Sequence, residues 1–482
     1  MIRKTKIVCS LGPASWNKEG IEKLAAAGMN VARLNFSHGS HQQFKEVIAR
    51  VRKYAPHVAI MLDTKGPEIR TGKVKDDEIF LKTNSKIIVT TETILGTEKK
   101  ISMNYGKLPK TVGKGDSIMI EDGLLELKVI SVKGKEITCV IVVGGVLGNT
   151  KNVNLPGKDI DLPAFSQKDI EDIVFGIKQD LDLIAASFVR TAKDIHHIKR
   201  LLGKHHASEI KVLAKIEHQQ ALRHLDEIIE AADGIMVARG DLGVQIPQEE
   251  VPLIQKKILQ KCKLAAKPCI VATQMLDSMI RNPRPTRAEV TDVANAILDG
   301  ADAVMLSGET AKGSFPFKSV ETMSSIAVKA ETLLAEQQHQ HHRSVSELHA
   351  ISKLAVIAGE DLSASAIIVP TLTGYTVKKI AAQRPLLPIL AFTPSLKVYR
   401  QLQLNFAVIP FQMNFPKNTE NLIRQACLLG LKAKNLKNND LVVITATTHK
   451  SMQDETNLLE IRNVNDVVAG NKNHPKLRVK RY

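Results

Sequence analysis

Along the first 310 or so residues, the apolar positions gather into eight short dense runs, at 5–10, 30–36, 58–63, 181–188, 211–217, 234–239, 268–274 and 303–307. Most are continuous rather than alternating, the pattern of strands buried on both faces. Each is followed sooner or later by a stretch with apolar residues at helical spacing, such as Ile21, Leu24 and Ala25, or Leu253, Ile254 and Ile258. Eight strand and helix pairs in alternation predict a closed parallel (β/α)8 barrel, hence an α/β fold of the TIM-barrel type.

One interval breaks the rhythm. Between the third run and its helix at 166–179 lie about a hundred residues rich in Lys, Val, Ile, Thr and Gly, with runs at 86–91, 117–120, 124–129 and 136–143 cut by turn residues. This reads as an all-β domain inserted into a barrel loop. A long helix at 317–336 and a polar stretch at 337–344 then close the barrel. His339, His341 and His342 crowd that stretch, with His349 further off, but they lack the spacing of a metal site and read as a solvated linker. Beyond it, a helix at 347–360 leads into strands at 365–370, 388–392, 407–411 and 441–446 separated by helices, a C-terminal α/β domain with an open sheet. The expected division is 1–66 and 164–338 for the barrel, 67–163 for the β domain, 339–464 for the C-terminal domain and 465–482 for a basic tail.

Composition narrows the class. No run of about 18 uncharged apolar residues occurs, and the N-terminus carries neither the apolar stretch nor the cleavage site of a signal peptide. Five scattered cysteines without a C-x-x-C pair indicate neither a disulfide framework nor a zinc site, so the chain reads as a cytoplasmic protein without membrane partners. The formal charge of +17 favours anions, but aromatics make up only 4% and none is interleaved with basic residues, which argues against a nucleic-acid partner.

In a barrel of this kind, side chains at the C-terminal strand ends converge on one mouth. Here those ends carry Arg33, Asn35, Ser37 and His38; Asp63, Thr64 and Lys65; Lys215 and Glu217; Arg239, Gly240 and Asp241; Thr273; Ser307 and Glu309. Ion pairs sealing the barrel would account for any one of them, not for the set. Glu217 and Asp241 are carboxylates of the kind that hold magnesium or manganese. Lys215, two residues before Glu217, faces the same side of its strand and brings a positive charge to a phosphoryl group in transfer. Arg33 offers a planar donor fork for phosphate, and Asn35, Ser37, Asp63 and the Thr64 carbonyl offer hard oxygens suited to a monovalent cation. With no G-x-x-x-x-G-K-[ST] loop and no protein-kinase H-R-D or D-F-G set, the residues alone indicate a metal-dependent barrel enzyme acting on an anionic, phosphorylated small molecule.

The strings that carry these residues are TKIVCSLGPAS from Thr5, MNVARLNFSHGS from Met29, LDTKGPEIRTG from Leu62, NVNLPG from Asn152, KIEH from Lys215, GIMVARGDLGV from Gly234, ATQMLDSM from Ala272 and a long NPRPTRAEV…SGETAKG segment from Asn282. In content and order they resemble the pyruvate kinase family over nearly the whole chain. The resemblance implies transfer of the phosphoryl group of phosphoenolpyruvate to ADP, giving pyruvate and ATP, with the β domain acting as a lid. It also implies roles. Arg33 would contact the substrate phosphate, and Lys215 would stabilise the transition state. Glu217 and Asp241 would hold Mg2+ or Mn2+, and the Gly240 and Asp241 amides with Thr273 would position the carboxylate. Asn35, Ser37, Asp63 and Thr64 would hold K+. Arg70 and Lys151 would reach the nucleotide phosphates, with Asn35, Phe36, Ser37 and His38 lining that site, and ADP would bring a second magnesium. Members of the family that work without potassium carry lysine at the position of Glu68, so an acidic residue there implies potassium dependence. A homotetramer is implied as well.

Departures concern regulation. Thr371, Thr373, Gly374, Tyr375 and Thr376 resemble the family's effector phosphate loop, but 447–456 lacks the Trp, Arg and Gly found where the family binds fructose 1,6-bisphosphate. A sugar phosphate or a nucleotide is the expected effector. A rival reading, a barrel lyase of the same metal-binding group, needs no nucleotide site and leaves the lid, Arg70 and Lys151 without a purpose; a non-catalytic basic binding protein would not need Lys215, Glu217 and Asp241 intact.

Overall fold

A computed structural model describes residues 2–121, 123–163, 165–336, 347–446 and 456–469. The eight apolar runs form eight parallel strands that close in sequence order: β1 (Lys6–Ser10), β2 (Val31–Asn35), β3 (Ala59–Asp63), β4 (Leu183–Ala186), β5 (Lys211–Ile216), β6 (Gly234–Ala238), β7 (Cys269–Ala272) and β8 (Ala303–Leu306), with β8 pairing back onto β1. Continuous hydrophobicity is explained by two cores sharing each strand. Val8, Val31, Met61, Leu213, Met236 and Ile270 fill the barrel interior, while their neighbours Ile7, Ala32, Ile60, Val212, Ile235 and Val271 pack outward against the helices.

Helix starts follow the local sequence. Ser40, Ser166 and Thr286 each begin a helix with a reciprocal capping box, their side chains taking the backbone N–H three residues on. The long helix expected at 317–336 is instead Pro316–Ala330 followed by a short 3-10 turn, Leu333–Glu336. The break falls where the buried Glu331 turns its carboxylate inward to accept from the Lys4 and Thr5 backbone N–H groups just ahead of β1.

The interruption after β3 is a β domain with a seven-stranded sheet and a separate two-stranded one, built around its own core of Leu81, Val89, Ile118, Leu127 and Ile141. Its alternating burial is that of strands with one wet face. The C-terminal domain is a five-stranded sheet in the order Val408–Gln412, Ile389–Thr393, Ala366–Pro370, Leu441–Ala446 and Leu458–Asn463. The last strand, antiparallel to its neighbour, went unseen in the sequence because its half-buried positions lack the dense apolar signature of the others. Val464–Ala469 is helical and buries Val464 and Val467 in the C-terminal core, so the folded chain runs past 464, where the tail was expected to begin. The histidine-rich linker, the 447–455 part of the effector region and the tail beyond 469 lie outside the described residues. Among those described, no helix is long and apolar enough to cross a membrane.

The C-terminal domain seals the end of the barrel opposite the mouth. Leu404 enters the interior core, and Lys6 donates to the Val408 carbonyl at 2.6 Å. Asp302, between the helix Arg287–Leu298 and β8, accepts from Arg384 at 2.8 and 2.9 Å and from the Cys269 and Phe406 backbone N–H groups, while the Arg384 guanidinium stacks 4.9 Å from the Phe406 ring. Removing one member of a buried pair strands the other charge. Arg384→Ala is therefore expected to destabilise the protein by about 3 kcal/mol, read as a fall of several degrees in the calorimetric midpoint; a shift within error would show that the base is held by packing alone.

Candidate active site

The mouth gathers its charges around one lysine. Lys215, near the end of β5, is buried, and its ammonium lies 2.8 Å from Glu217 Oε1, 3.1 Å from Asp63 Oδ1 and 2.8 Å from Ser187 Oγ. Burial by itself lowers an ammonium, but Asp63 and Glu217 outweigh it and hold Lys215 above the ordinary lysine range. Asp63 is fully buried at the end of β3. Burial opposes its charge, yet Arg33 and Lys215 together hold it below the usual carboxylate range. Arg33, two residues earlier in register on β2, donates from Nε to Asp63 Oδ2 at 2.5 Å and from Nη1 to Ser10 Oγ at 2.7 Å. Glu217 is fixed on its other oxygen by the Phe188 backbone N–H at 2.6 Å.

Ser187 had no place in the expected set. It follows β4, where two alanines precede it, and its hydroxyl accepts from Lys215 while donating to the Thr64 carbonyl at 2.6 Å. The signal was there: a hydroxyl directly after an apolar run, at the same strand-end position as Asp63 and Glu217. Thr64 is bound back to β4, its N–H donating to the Ala185 carbonyl at 3.0 Å and its hydroxyl accepting from the Ser187 N–H. Asn35 is the register partner of Asp63, and its Oδ1 accepts from the Ser37 N–H at 3.1 Å.

Across the mouth, Gly240 and Asp241 lie in the first turn of a short helix, Arg239–Gln245, rather than on the strand end itself. Gly240 N–H donates to Thr273 Oγ1 at 2.9 Å, and that hydroxyl donates to the Ala272 carbonyl at 2.6 Å. Thr273 and Gln274 both have left-handed backbones, with φ of 70° and 55°. Arg239 braces this strained turn: it donates to the Thr273 carbonyl at 2.8 Å and pairs with Asp292 at 2.6 Å, a role the sequence did not reveal. Below, Glu309 accepts from the Ser307 and Leu276 N–H groups, and burial pushes its carboxyl up. These residues line a cavity of about 680 Å3.

The remaining expected residues are distributed unevenly. Phe36 is not a lining side chain: its ring is buried and stacks on Phe44 at 4.1 Å, leaving only its backbone near the mouth. His38 is exposed. Arg70 and Lys151 lie in the β domain close to the junctions, paired with carboxylates, Arg70 with Glu68 at 2.5 Å and Lys151 with Glu121. Glu68 is thus compensated by the Arg70 guanidinium within the β domain. In the C-terminal domain, Gly374 N–H donates to Thr371 Oγ1 at 2.8 Å, Tyr375 N–H donates to Thr373 Oγ1 at 3.3 Å, and the Thr376 and Thr456 hydroxyls share a hydrogen bond of 2.7 Å.

A buried lysine and a half-buried arginine balanced by two buried carboxylates, at the mouth of a (β/α)8 barrel with an inserted β domain, suit the movement of a small, densely charged group, and define a phosphotransferase built on a barrel. Comparisons carry the assignment to a family. Residues 2–320 match "Pyruvate kinase, barrel domain" and 349–462 match "Pyruvate kinase, alpha/beta domain". The chain is 46% identical over 479 residues to pyruvate kinase of Geobacillus stearothermophilus, and 46% identical over 478 to that of Staphylococcus aureus, covering 97% of this chain and 82% of each relative. A crystal structure of a pyruvate kinase from Cryptosporidium parvum superposes with a TM-score of 0.91 at 39% identity, covering 96% of both chains. The chain belongs to the pyruvate kinase family, and its reaction is the transfer of a phosphoryl group from phosphoenolpyruvate to ADP, the last step of glycolysis.

Ser187 supplies one of three contacts to the Lys215 ammonium. Ser187→Ala is expected to lower kcat by roughly 10- to 150-fold, the worth of one hydrogen bond to a charged group, with KM for phosphoenolpyruvate changed less than about twofold. Steady-state kinetics at saturating ADP check this; an unchanged kcat would mean that the two carboxylates alone place the ammonium.

Proposed function

We propose that Lys215, Arg33 and Thr273 do the catalytic work of this pyruvate kinase, and the observation that carries the reading is the Lys215 ammonium buried between Asp63, Glu217 and Ser187. Arg33 would grip the phosphate of phosphoenolpyruvate through the face of its guanidinium not committed to Asp63 and Ser10. The Gly240 and Asp241 amides and Thr273 would orient the carboxylate. An oxygen of the ADP β-phosphate attacks in line; the bond from phosphorus to the enol oxygen breaks, and its electron pair stays on the enolate. Lys215 lies where that charge moves, and protonation of the enolate then gives pyruvate.

Glu217 and Asp241 suit a divalent cation. Among the described residues no group of three His, Cys, Asp or Glu side chains forms a closed metal cage, and a two-carboxylate site fits Mg2+ or Mn2+, which keep water and substrate oxygens as ligands. When bound, such an ion supplies charge neutralisation for the phosphoryl and enolate oxygens. Asn35, Ser37, Asp63 and the Thr64 carbonyl would hold K+. Arg70 and Lys151 would exchange Glu68 and Glu121 for the nucleotide phosphates, with Asn35 to His38 beside them and a second magnesium arriving with ADP. The β domain, residues 67–163, would close as a lid between barrel segments 1–66 and 164–338 and exclude water. The loop from Thr371 to Thr376, in the 339–464 domain, would take the phosphate of a sugar-phosphate or nucleotide effector. The enzyme would work in the cytoplasm as a homotetramer, which a monomeric mass at micromolar concentration would contradict.

Lys215→Met is expected to leave metal and phosphoenolpyruvate binding largely intact while turnover falls by orders of magnitude, since its charge matters most as the phosphoryl group leaves. A coupled assay of ATP formation reads the first quantity and titration calorimetry the second; an unchanged turnover number would reject the role.

Potassium dependence forms the second test. At fixed ionic strength, K+ should activate strongly and Na+ much less, and Glu68→Lys should remove the dependence by placing an ammonium near the cation's position while releasing Arg70. Equal rates in a potassium-free tetramethylammonium buffer would rule out Asn35, Ser37, Asp63 and Thr64 as K+ ligands.

A further inference from the structure

The short helix Arg239–Gln245, which carries Asp241, is held at its two ends by different domains. At its start, Arg239 donates to the Thr273 carbonyl and the Gly240 N–H to the Thr273 hydroxyl, so this end is fixed to the barrel. At its last residue, Gln245 Nε2 donates to Asn154 Oδ1 at 2.7 Å, and Asn154 belongs to the β domain. Asp241 and Gln245 are four positions apart, which places them on one face of the helix and about 6 Å apart along its axis. A displacement of Gln245 is therefore felt at Asp241 one turn away.

Asn154 ends the strand Asn152–Asn154. That strand pairs on one side with Ile69–Arg70, where Asn152 stands opposite Arg70, and on the other with Ser117–Ile120, where Asn154 stands opposite Met119. Lys151 immediately precedes it and pairs with Glu121, whose N–H donates to the Asn152 carbonyl at 3.0 Å. Arg70 adds a bond from Nη1 to the Thr150 carbonyl at 2.7 Å. Arg70 and Lys151 thus sit on the same strand pair that Gln245 holds from the barrel.

Gln245 is 4% exposed, and its Oε1 has no hydrogen-bond partner among the described residues. A buried amide with one atom unpaired costs stability that an aliphatic side chain of similar size would not, so packing does not account for a glutamine here. Beside the link the two domains are not packed together. A cavity of about 420 Å3 opens between Met119, Gly123 and Pro156 of the β domain and Val244, Ile246 and Pro247 of the barrel. That space lets the β domain shift against the barrel, and the bond carries the shift to the helix.

We propose that Gln245 is a positioning residue that couples the two substrates: through Asn154 it ties the strand pair bearing Arg70 and Lys151 to the helix bearing Gly240 and Asp241. Nucleotide drawing on the two cations moves the strand pair, and the helix follows, bringing the Gly240 and Asp241 amides and the Asp241 carboxylate to their places around phosphoenolpyruvate. The inference rests on the reading of Arg70 and Lys151 as nucleotide contacts and of Asp241 as a ligand on the phosphoenolpyruvate side. By linkage the effect is reciprocal, so each substrate tightens the other by the same factor.

The test is initial-rate kinetics of the full-length enzyme with ADP and phosphoenolpyruvate varied together, at fixed free Mg2+, K+ and ionic strength. The phosphoenolpyruvate constant extrapolated to zero ADP, divided by that at saturating ADP, measures the coupling. In the wild-type enzyme this ratio should be about 5 or more. Gln245→Leu and Asn154→Ala should each bring it to within about twofold of one, and the double variant should go no further, because both remove the same bond. Gln245→Glu should keep the ratio, since the Asn154 amide can turn and donate to the carboxylate, which separates the link from mere filling of the site. Should Gln245→Leu fold poorly, Asn154→Ala changes only the half-buried β-domain partner and reads the same coupling. A ratio of one in the wild-type enzyme, or a wild-type ratio in Asn154→Ala, overturns the inference. Arg70→Met and Lys151→Met keep its failure distinct from that of the nucleotide reading. If they raise the ADP constant while Asn154→Ala keeps the wild-type ratio, the inference alone falls; if neither changes the ADP constant, the nucleotide reading falls and the inference with it.

Discussion

A buried ammonium cannot exist alone, and the mouth of this barrel is organised around that fact. Taking Lys215 out of water costs several kcal/mol unless opposite charges accompany it. Asp63 and Glu217 do so, and Asp63 in turn needs Arg33. The four charges cancel. Those residues come from β2, β3 and β5, with Ser187 after β4 between them, and they meet only if the sheet closes with the right register. Barrel closure and site assembly are therefore one event. The balance also leaves the cluster poised, because added negative charge from a phosphorylated substrate and added positive charge from cations can enter together without stranding either carboxylate.

Partner exchange extends the same logic to the lid. Arg70 and Lys151 are not idle cations; each is held by a carboxylate, Glu68 or Glu121, within its own domain. Both pairs are partly exposed, so breaking either costs little, on the order of 1 kcal/mol or less. A nucleotide phosphate reaching them as proposed, offering a bidentate, doubly charged partner, would win that exchange. The chain returning to the barrel is held more firmly: Arg190 donates to the Ile160 and Leu162 carbonyls at 2.7 Å, and Gln245 donates to Asn154 Oδ1 at 2.7 Å. Such an arrangement keeps one side of the junction fixed while the other trades contacts.

How much of this could be read from the chain depends on what each interaction leaves in the sequence. The barrel was legible because strands buried on both faces cannot avoid continuous apolar runs. The charged mouth was legible because Asp63, Lys215 and Glu217 stand at the ends of such runs, where no core role suits them. The antiparallel strand Leu458–Asn463 was not, since its side chains are half-buried or exposed throughout, with no fully buried position to mark it. Phe36 misled for the opposite reason: it stands inside a polar string, but its neighbours on the helix His41–Tyr54 give its ring an apolar partner in Phe44. Pairs such as Arg239 with Asp292, or Arg384 with Asp302, join residues 53 and 82 positions apart, and nothing local announces them.

The two ends of the barrel end up chemically unlike, and this has a mechanical consequence. At the base, Leu404 fills the interior, Lys6 reaches the Val408 carbonyl, and Asp302 binds Arg384 and the Phe406 amide, so the C-terminal domain is attached to the barrel by directional contacts. At the mouth, the strands end in charges whose positions depend on one another over a few ångströms. Packed strands transmit displacement because interiors at crystal-like density have few voids to absorb it. A shift of the C-terminal domain against the base would therefore be felt at the charged mouth, where the contacts are electrostatic and can be exchanged. Regulation from the far domain, if an effector binds there as proposed, would need no separate relay: it would follow from having a rigid barrel with one end plugged and the other held by a balance of charges.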